Sequence, residues 1–306
     1  MRLAPPLKKK LVFRPAPATG YAIEGDALVF NGITRWLSGA TEDTLAHGDQ
    51  FEMLPDGALL RGPSTLAGVL IAPPHLPIGP ATEQLYTRLL DLTEGQHLHR
   101  VWNFVPHINA EVDGLENYRA FNAGRHRQLS MRWGAPLGGR VPAASALGTP
   151  GGVAALAFSA SEVRAIHFEN PLQEPAVHYP PSFGALPPAF ARASRGDHPG
   201  GITWHLSGTA SVRGSRTEGT GIEAQLALTL ENIASLCAHM EVPARRRASW
   251  KIFLRHAEHL ADAEAAFRHA CPHDMATTMF LRAEICRADL LVEIEGQLSV
   301  EFGHHE

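Results

Sequence analysis

Apolar and polar positions divide the chain into a strand-rich opening, a run of alternating helices and strands, and one long irregular stretch. Over residues 1–80, short β-type runs such as Ala27–Phe30 and Leu66–Ile71 stand between recurrent Pro and Gly (Pro5, Pro6, Pro15, Pro17, Gly20, Gly25), which punctuate strands and turns. Leu85, Leu89 and Leu92 then recur at helical spacing after Pro80, with Thr82 as N-cap and Gly95 as terminator. His99–Phe104 reads as a strand, Val112 to about Met131 as a second helix, and Val153–Phe158 as a buried strand after the turn Thr149-Pro150-Gly151-Gly152. Residues 170–200 are Pro-rich and irregular, a length that in a compact domain usually carries function or disorder.

Beyond this stretch the pattern predicts a strand at Ile202–Ser207, a helix at Ile222–Met240 with Leu226, Leu230, Ile233 and Cys237 on one face, and a strand at Trp250–Arg255. A helix over Ala257–Ala270 and strands at Met279–Cys286 and Leu290–Leu298 complete the chain. The order strand, strand, helix, strand, helix, strand, strand predicts an α+β fold with helices on one face of a sheet. No internal repeat is visible.

The 306 residues suffice for one large domain or two ordinary ones, and 44% apolar with 19% charged residues is a globular profile. Lys plus Arg is 27 against 31 for Asp plus Glu, and a net charge of −4 argues against a nucleic-acid surface. The balance leaves small anionic substrates open, since a pocket needs only a few local cations. Cys237, Cys271 and Cys286 lack CxxC spacing, so neither a disulfide framework nor structural zinc is expected. Lys8, Lys9 and Lys10 precede no long apolar run, and nowhere do about eighteen apolar residues adjoin, so neither a signal peptide nor a membrane helix is expected and the cytoplasm is the default.

Four places hold candidate chemistry. On the last strand Glu293 and Glu295 share one face, either as a solvated acidic side or as a desolvated carboxyl able to act as an acid. In Tyr118-Arg119-Ala120-Phe121-Asn122-Ala123-Gly124-Arg125, a Gly inside a helix predicts a close-packed neighbour, and Arg125 is either a surface residue or a carboxylate fork. Ser207-Gly208-Thr209-Ala210-Ser211 is a plain turn or a loop that lets a ligand approach the backbone. Lys251-Ile252-Phe253-Leu254-Arg255-His256 is a charged strand edge or a source of cations. The seventeen histidines include no HExxH pair, so no metal is expected, and Gly303-His304-His305-Glu306 is expected to be a solvated tail.

Together these places resemble the chorismatase family. The resemblance rests on His97–Asn109, Leu115–Arg125, Ser207–Ser211 and Cys286–Glu295, in the family's order over roughly residues 85–296. It implies a YjgF/RidA-like C-terminal domain (151–306), a divergent related N-terminal domain (1–150), and an active site to which both contribute. It implies cleavage of chorismate to pyruvate and a hydroxylated ring acid, with no cofactor or metal and no nucleic-acid or membrane partner. Glu293 matches the acid that protonates the enolpyruvyl methylene. Arg125, Arg255 and Arg192 would clamp carboxylates, and Tyr118 and Tyr179 would orient the substrate. Cys286, seven residues before Glu293, and Gly208 match the type that forms 3-hydroxybenzoate. A shortened Glu218–Glu223 segment and Val177 in place of an aromatic depart from the family at the pocket rim. A 4-hydroxybenzoate or diene-diol product, or a RidA-like binder without turnover, are the competing expectations, and the resemblance suggests a homotrimer or a monomer with trimer-like packing.

Overall fold

The computed structural model describes residues 8–198 and 200–302; the Gly303–Glu306 tail lies outside them. Among the described residues the opening quarter holds eight strands: β1 (Lys9–Ala16), β2 (Gly20–Glu24), β3 (Ala27–Ile33), β4 (Arg35–Gly39), β5 (Asp43–Gly48), β6 (Gln50–Leu54), β7 (Gly57–Arg61) and β8 (Thr65–Ile71). There follow α1 (Ile78–Leu92), β9 (His97–Pro106), a hairpin of β10 (Glu111–Val112) and β11 (Leu115–Glu116), α2 (Asn117–Trp133), β12 (Ala143–Thr149) and β13 (Ala155–Ser161). The remainder is β14 (Ile166–Phe168), β15 (Ala193–His198), β16 (Gly201–Thr209), β17 (Val212–Arg213), β18 (Arg216–Thr217), α3 (Ile222–His239), β19 (Arg247–Leu254), α4 (Leu260–Ala270), β20 (Thr278–Arg282), β21 (Glu284–Ile285) and β22 (Val292–Glu301).

Hydrogen-bond pairing reveals a duplication that the residues do not display. The first large sheet runs β6-β7-β8-β13-β9-β12-β21 and the second runs β14-β15-β16-β22-β19-β20-β4. In each, two antiparallel strands lead through a helix to a third, a second helix returns to a parallel fourth, and the last strand inserts between the second and third. Each sheet's final edge is filled by a strand from the other end of the chain: β21 pairs with β12 and β4 pairs with β20. The α+β class with helices on one outer face therefore describes both halves. The boundary expected at residue 150 divides them wrongly, because β13 hydrogen-bonds at the centre of the first sheet.

Local chemistry explains where the elements depart from the pattern. The second helix starts at Asn117, not near Val112, because Asp113 and Gly114 both take positive φ (51° and 77°) and turn β10 into β11. The first helix starts at Ile78, so Pro80 lies in its first turn, where no intrahelical N–H is needed. Thr82 is consequently inside the helix and its hydroxyl donates to the Ile78 carbonyl at 2.7 Å. A Cβ on Gly124 would lie 2.9 Å from the Gly79 carbonyl oxygen and 3.1 Å from Thr82 Cβ, so the glycine allows α2 to press against α1.

The outer faces of the two sheets bury Leu85, Leu89 and Phe121, and Ile233, Leu236 and Phe267, beneath their helices. The inner faces meet each other and the small sheet β2-β3-β1-β5, with Phe13, Phe30, Trp102, Phe104, Leu147, Phe253 and Leu281 in one core. Three sheets thus enclose a single interior. Ser194 and Ser207 hydroxyls accept the Ala143 and Ala144 N–H groups at 2.7 and 2.8 Å, tying β12 to the second half. Among the described residues no helix is long and apolar enough to cross a membrane.

A charged layer crosses this interior. Glu295 on β22 accepts from Arg100 on β9 at 2.6 Å and pairs with Lys251 on β19 at 3.0 Å, while Lys251 also pairs with Asp43 on β5. The four side chains are buried, so removing one partner strands its counter-charge in a low dielectric. Lys251→Ala is expected to lower stability by about 3–5 kcal/mol; urea unfolding with an unchanged midpoint would contradict that assignment.

Candidate active site

β22 presents Glu293 and Glu295 to the interior because both lie opposite inward-facing residues of β19, Phe253 and Lys251. Neither belongs to a solvated acidic face: their exposures are 3% and 2%. Their electrostatics differ. Burial pushes Glu295 up, but Lys251 and Arg100 outweigh it and hold the carboxylate below its ordinary value. For Glu293, burial first and then the charge of Glu295 raise the carboxyl to about 8, only partly opposed by Arg100. One strand therefore carries an ionised carboxylate and, two residues away, a carboxyl that keeps its proton at neutral pH.

Among the described residues Glu293 Oε1 has no hydrogen-bond partner, an orphan of the kind that a buried polar atom shows where a ligand is to arrive. The other oxygen, Oε2, faces the Cys286 thiol at 3.9 Å. Burial and the nearby Glu293 raise Cys286 to about 12, so the sulfur is a neutral thiol, a weak donor rather than a nucleophile. Gly208 closes the other side. It lies at an irregularity in the β16–β22 pairing, and a Cβ there would stand 2.0 Å from Glu293 Oε1. The glycine is required for space, since its φ is not positive.

Tyr118 lies beside Cys286 and Arg125 and stacks on Phe121 with centroids 6.5 Å apart. Burial pushes its phenol up, so the hydroxyl remains a donor. Arg125 is 2% exposed, and among the described residues it has no carboxylate partner. Its Nη2 donates to Asn122 Oδ1 at 2.8 Å, its Nε is unpartnered, and its guanidinium lies 4.8 Å from the Phe121 ring centre. A buried cation without a counter-ion is unfavourable unless an anion completes it. Arg192 is a second buried guanidinium, and among the described residues its one carboxylate neighbour is Glu169, 4.0 Å from its Nε. It donates to the Tyr179 hydroxyl at 2.8 Å and the Glu174 carbonyl at 2.9 Å, and its Nε is unpartnered. The two guanidiniums flank one ring, 5.8 and 5.1 Å from the centre of Phe190.

Arg255 is placed differently from the expected clamp. It donates to the backbone carbonyls of Leu290 (2.7 Å), Ile285 (3.0 Å) and Arg287 (2.7 Å), and to Asn109 Oδ1 at 3.2 Å. Three of these bonds hold the turn that carries Cys286, and Asn109, the fourth acceptor, fixes the same turn by donating to the Cys286 carbonyl at 3.3 Å. The planar fork suits a run of carbonyls as well as a carboxylate, and here the carbonyls occupy it. Sequence reasoning missed Arg100, Asn109 and Phe190, which look like ordinary members of apolar stretches. It also missed Glu169, which burial raises to about 7 beside Arg192 at 4.0 Å. Among the described residues no group of three or more His, Cys, Asp or Glu side chains is placed to hold a metal ion.

The site thus brings together an enclosed carboxylic acid, a neutral thiol and two buried arginines, of which, among the described residues, Arg125 has no carboxylate partner and Arg192 has Glu169 at 4.0 Å. Residues 46–160 match the family described as chorismatase FkbO/Hyg5-like, N-terminal. A 3-hydroxybenzoate synthase from Streptomyces hygroscopicus is 35% identical over 243 residues, covering 71% of this chain and 68% of its own. A chorismatase from Streptomyces rapamycinicus is 35% identical over 259 residues, 78% of this chain and 76% of its own. The crystal structure of a chorismatase superposes with a TM-score of 0.79 at 28% identity, covering 96% and 95% of the two chains. A YjgF-family protein from Neisseria meningitidis aligns with 45% of this chain and 97% of its own at 16% identity and TM-score 0.32, too slight a likeness to weigh. The chain belongs to the chorismatase family.

Two predictions follow from the geometry around Glu293. Its native pKa lies above the ordinary 4.5, so its favourable contribution to stability is full below about 4.5 and is lost as pH rises through about 8. At pH 7 folding must therefore hold a proton that the unfolded chain releases, a cost on the order of 3 kcal/mol. Glu293→Gln is expected to raise the unfolding free energy by roughly 2 kcal/mol at pH 7 and by almost nothing at pH 4; equal effects at both pH values in denaturant titrations would refute this. Gly208→Ala is expected to keep the fold but displace the carboxyl, lowering kcat at least tenfold, about 1.4 kcal/mol; steady-state kinetics matching the parent would show that the close approach is unimportant.

Proposed function

We propose that this chain cleaves chorismate to pyruvate and 3-hydroxybenzoate, with Glu293 as the general acid. The single observation that supports this most is the buried Glu293 carboxyl, protonated at neutral pH and with one oxygen unpartnered beside Gly208. Chorismate carries two carboxylates. Arg125, which has no carboxylate partner among the described residues, and Arg192, whose carboxylate neighbour Glu169 lies 4.0 Å away, are the groups we assign to them, with Tyr118 and Tyr179 orienting the ring or its hydroxyl. Arg255 we assign to holding the Cys286 turn.

Glu293 delivers its proton to the terminal methylene of the enolpyruvyl ether. The ether carbon becomes an oxocarbenium centre, and the Glu293 carboxylate left behind opposes its positive charge. An oxygen nucleophile adds there, and collapse releases pyruvate. The atoms distinguish the products: chorismate equals pyruvate plus hydroxybenzoate with no water added, whereas the diene-diol requires one water. The aromatic outcome balances when the nucleophile is the substrate's own C4 ring hydroxyl, with bulk water excluded. That hydroxyl loses its proton on attack, and its oxygen leaves the ring as the ketone oxygen of pyruvate. The ether oxygen stays on the ring as the 3-hydroxyl, and the C3 hydrogen is lost as a proton. A neutral, weakly polar thiol at Cys286 suits that exclusion better than a hydroxyl would, and the relative named 3-hydroxybenzoate synthase supports the same product.

Purified protein incubated with chorismate, with pyruvate read by a lactate dehydrogenase couple, is expected to release pyruvate well above the spontaneous rate. Glu293→Gln should reduce kcat by roughly 10²–10⁴-fold, the usual contribution of a positioned acid. The alkaline limb of kcat should fall as pH rises through the region of pH 8, where Glu293 loses its proton. Pyruvate at the spontaneous rate across the pH range would instead indicate a binding protein without turnover. Chromatography of the acid product should show 3-hydroxybenzoate, and Cys286→Ala should alter the product ratio more than it slows chorismate consumption. An unaltered ratio would remove the thiol from product control.

A further inference from the structure

A second cluster of cations lies outside the Glu293 site. β4 and β20 pair antiparallel with Arg35 directly opposite Arg282. Like charges in that relation are destabilising, and among the described residues neither guanidinium has a hydrogen bond or an ion pair with a carboxylate. Both line a cleft of about 490 Å³ formed where the end of β1, the start of β4, the turn after β12 and the end of β20 converge. The other walls are flat and apolar: Trp36 on one side, Pro15, Pro17 and Pro150 on the others. Trp36 is 45% exposed, yet its ring is oriented, because the indole N–H donates to the Ala40 carbonyl at 3.1 Å. Among the described residues no acidic residue lines the cleft.

We infer that this cleft is a binding site, separate from the Glu293 pocket, for a planar aromatic carboxylate. Two guanidiniums without counter-ions select an anion, and their planar donors match a carboxylate. The indole and proline faces select a flat apolar ring over a hydrated inorganic ion. The volume falls within the range of small-molecule sites and exceeds what one ring requires. The ligand class is read from the cleft alone; only the choice of probe uses the proposed reaction, whose product belongs to this class. The site also adjoins the catalytic region by chain: Arg282 is four residues before Cys286, and Gly148 in the cleft wall pairs with Glu284 of β21.

The test is calorimetric titration of the full chain with 3-hydroxybenzoate and with benzoate, alongside tryptophan emission. The variants are Arg35→Gln with Arg282→Gln, Trp36→Ala, and Arg125→Ala to remove a clamp of the Glu293 pocket. All three cleft positions are at least partly exposed, and thermal unfolding checks that each variant folds. The inference requires binding that survives Arg125→Ala, weakens at least tenfold in the double Arg variant and in Trp36→Ala, and falls at least tenfold when neutral benzyl alcohol replaces benzoate. Binding removed by Arg125→Ala but untouched by the cleft variants would place the ligand in the Glu293 pocket alone and overturn the inference. So would the absence of saturable binding, or inorganic phosphate binding as tightly as benzoate at equal ionic strength. Each readout is independent of turnover, so failure of the chorismate reaction and failure of this site are separately visible.

Discussion

A β-strand returns to the same face every second residue, so Glu293 and Glu295 stand about 7 Å apart in one interior. Two carboxylates so close and so buried cannot both ionise without help, and the fold helps only one. Arg100 reaches Glu295 from the first sheet and Lys251 from the neighbouring strand of the second, fixing its negative charge. That fixed charge, added to burial, keeps the proton on Glu293. Removing the ion pairs around Glu295 would therefore change the acid next to it as well as the stability of the layer.

The duplicated architecture is what makes this division of roles possible. The two large sheets face each other, so a charge on β9 can meet a carboxylate on β22 although the two residues are far apart in sequence. The exchange of edge strands ties the halves together at the place where the chemistry lies. β21, paired to the first sheet, leads directly into the turn of Cys286, and that turn is held from the second half by Arg255 and from the first by Asn109. The position of the thiol against Glu293 thus depends on both halves at once, whereas the buried Arg125 and Arg192 come from α2 and from the irregular segment before β15.

Much of this was legible in the residues. Helical spacing of Leu85, Leu89 and Leu92 marked α1, the Gly inside α2 marked its close packing on α1, and alternation placed Glu293 and Glu295 on one face. Other parts had a signal that was outweighed: Asp113-Gly114 is strong turn chemistry, but strands of two residues are too short to show a period. The duplication and the exchanged edges had none, because strand order is a property of long-range pairing and the two halves no longer share a visible sequence pattern. Arg100 was hidden for a related reason, and Lys251, picked out with its strand, was left open between an edge charge and a source of cations, since a charge inside a buried strand is intelligible only once its partners are known. Arg255 shows the limit from the other side: a guanidinium fork can hold a substrate carboxylate or three backbone carbonyls, and residue type alone does not say which.

The central claim is that the Glu293 carboxyl holds its proton at neutral pH. Infrared difference spectroscopy of the parent protein against Glu293→Gln, recorded from pH 5 to pH 10, reads that proton directly through the carboxylic C=O stretch. The account predicts a protonated-carboxyl band at pH 7 that the variant lacks and that disappears as pH rises through about 8. A carboxylate already ionised at pH 6 would contradict it.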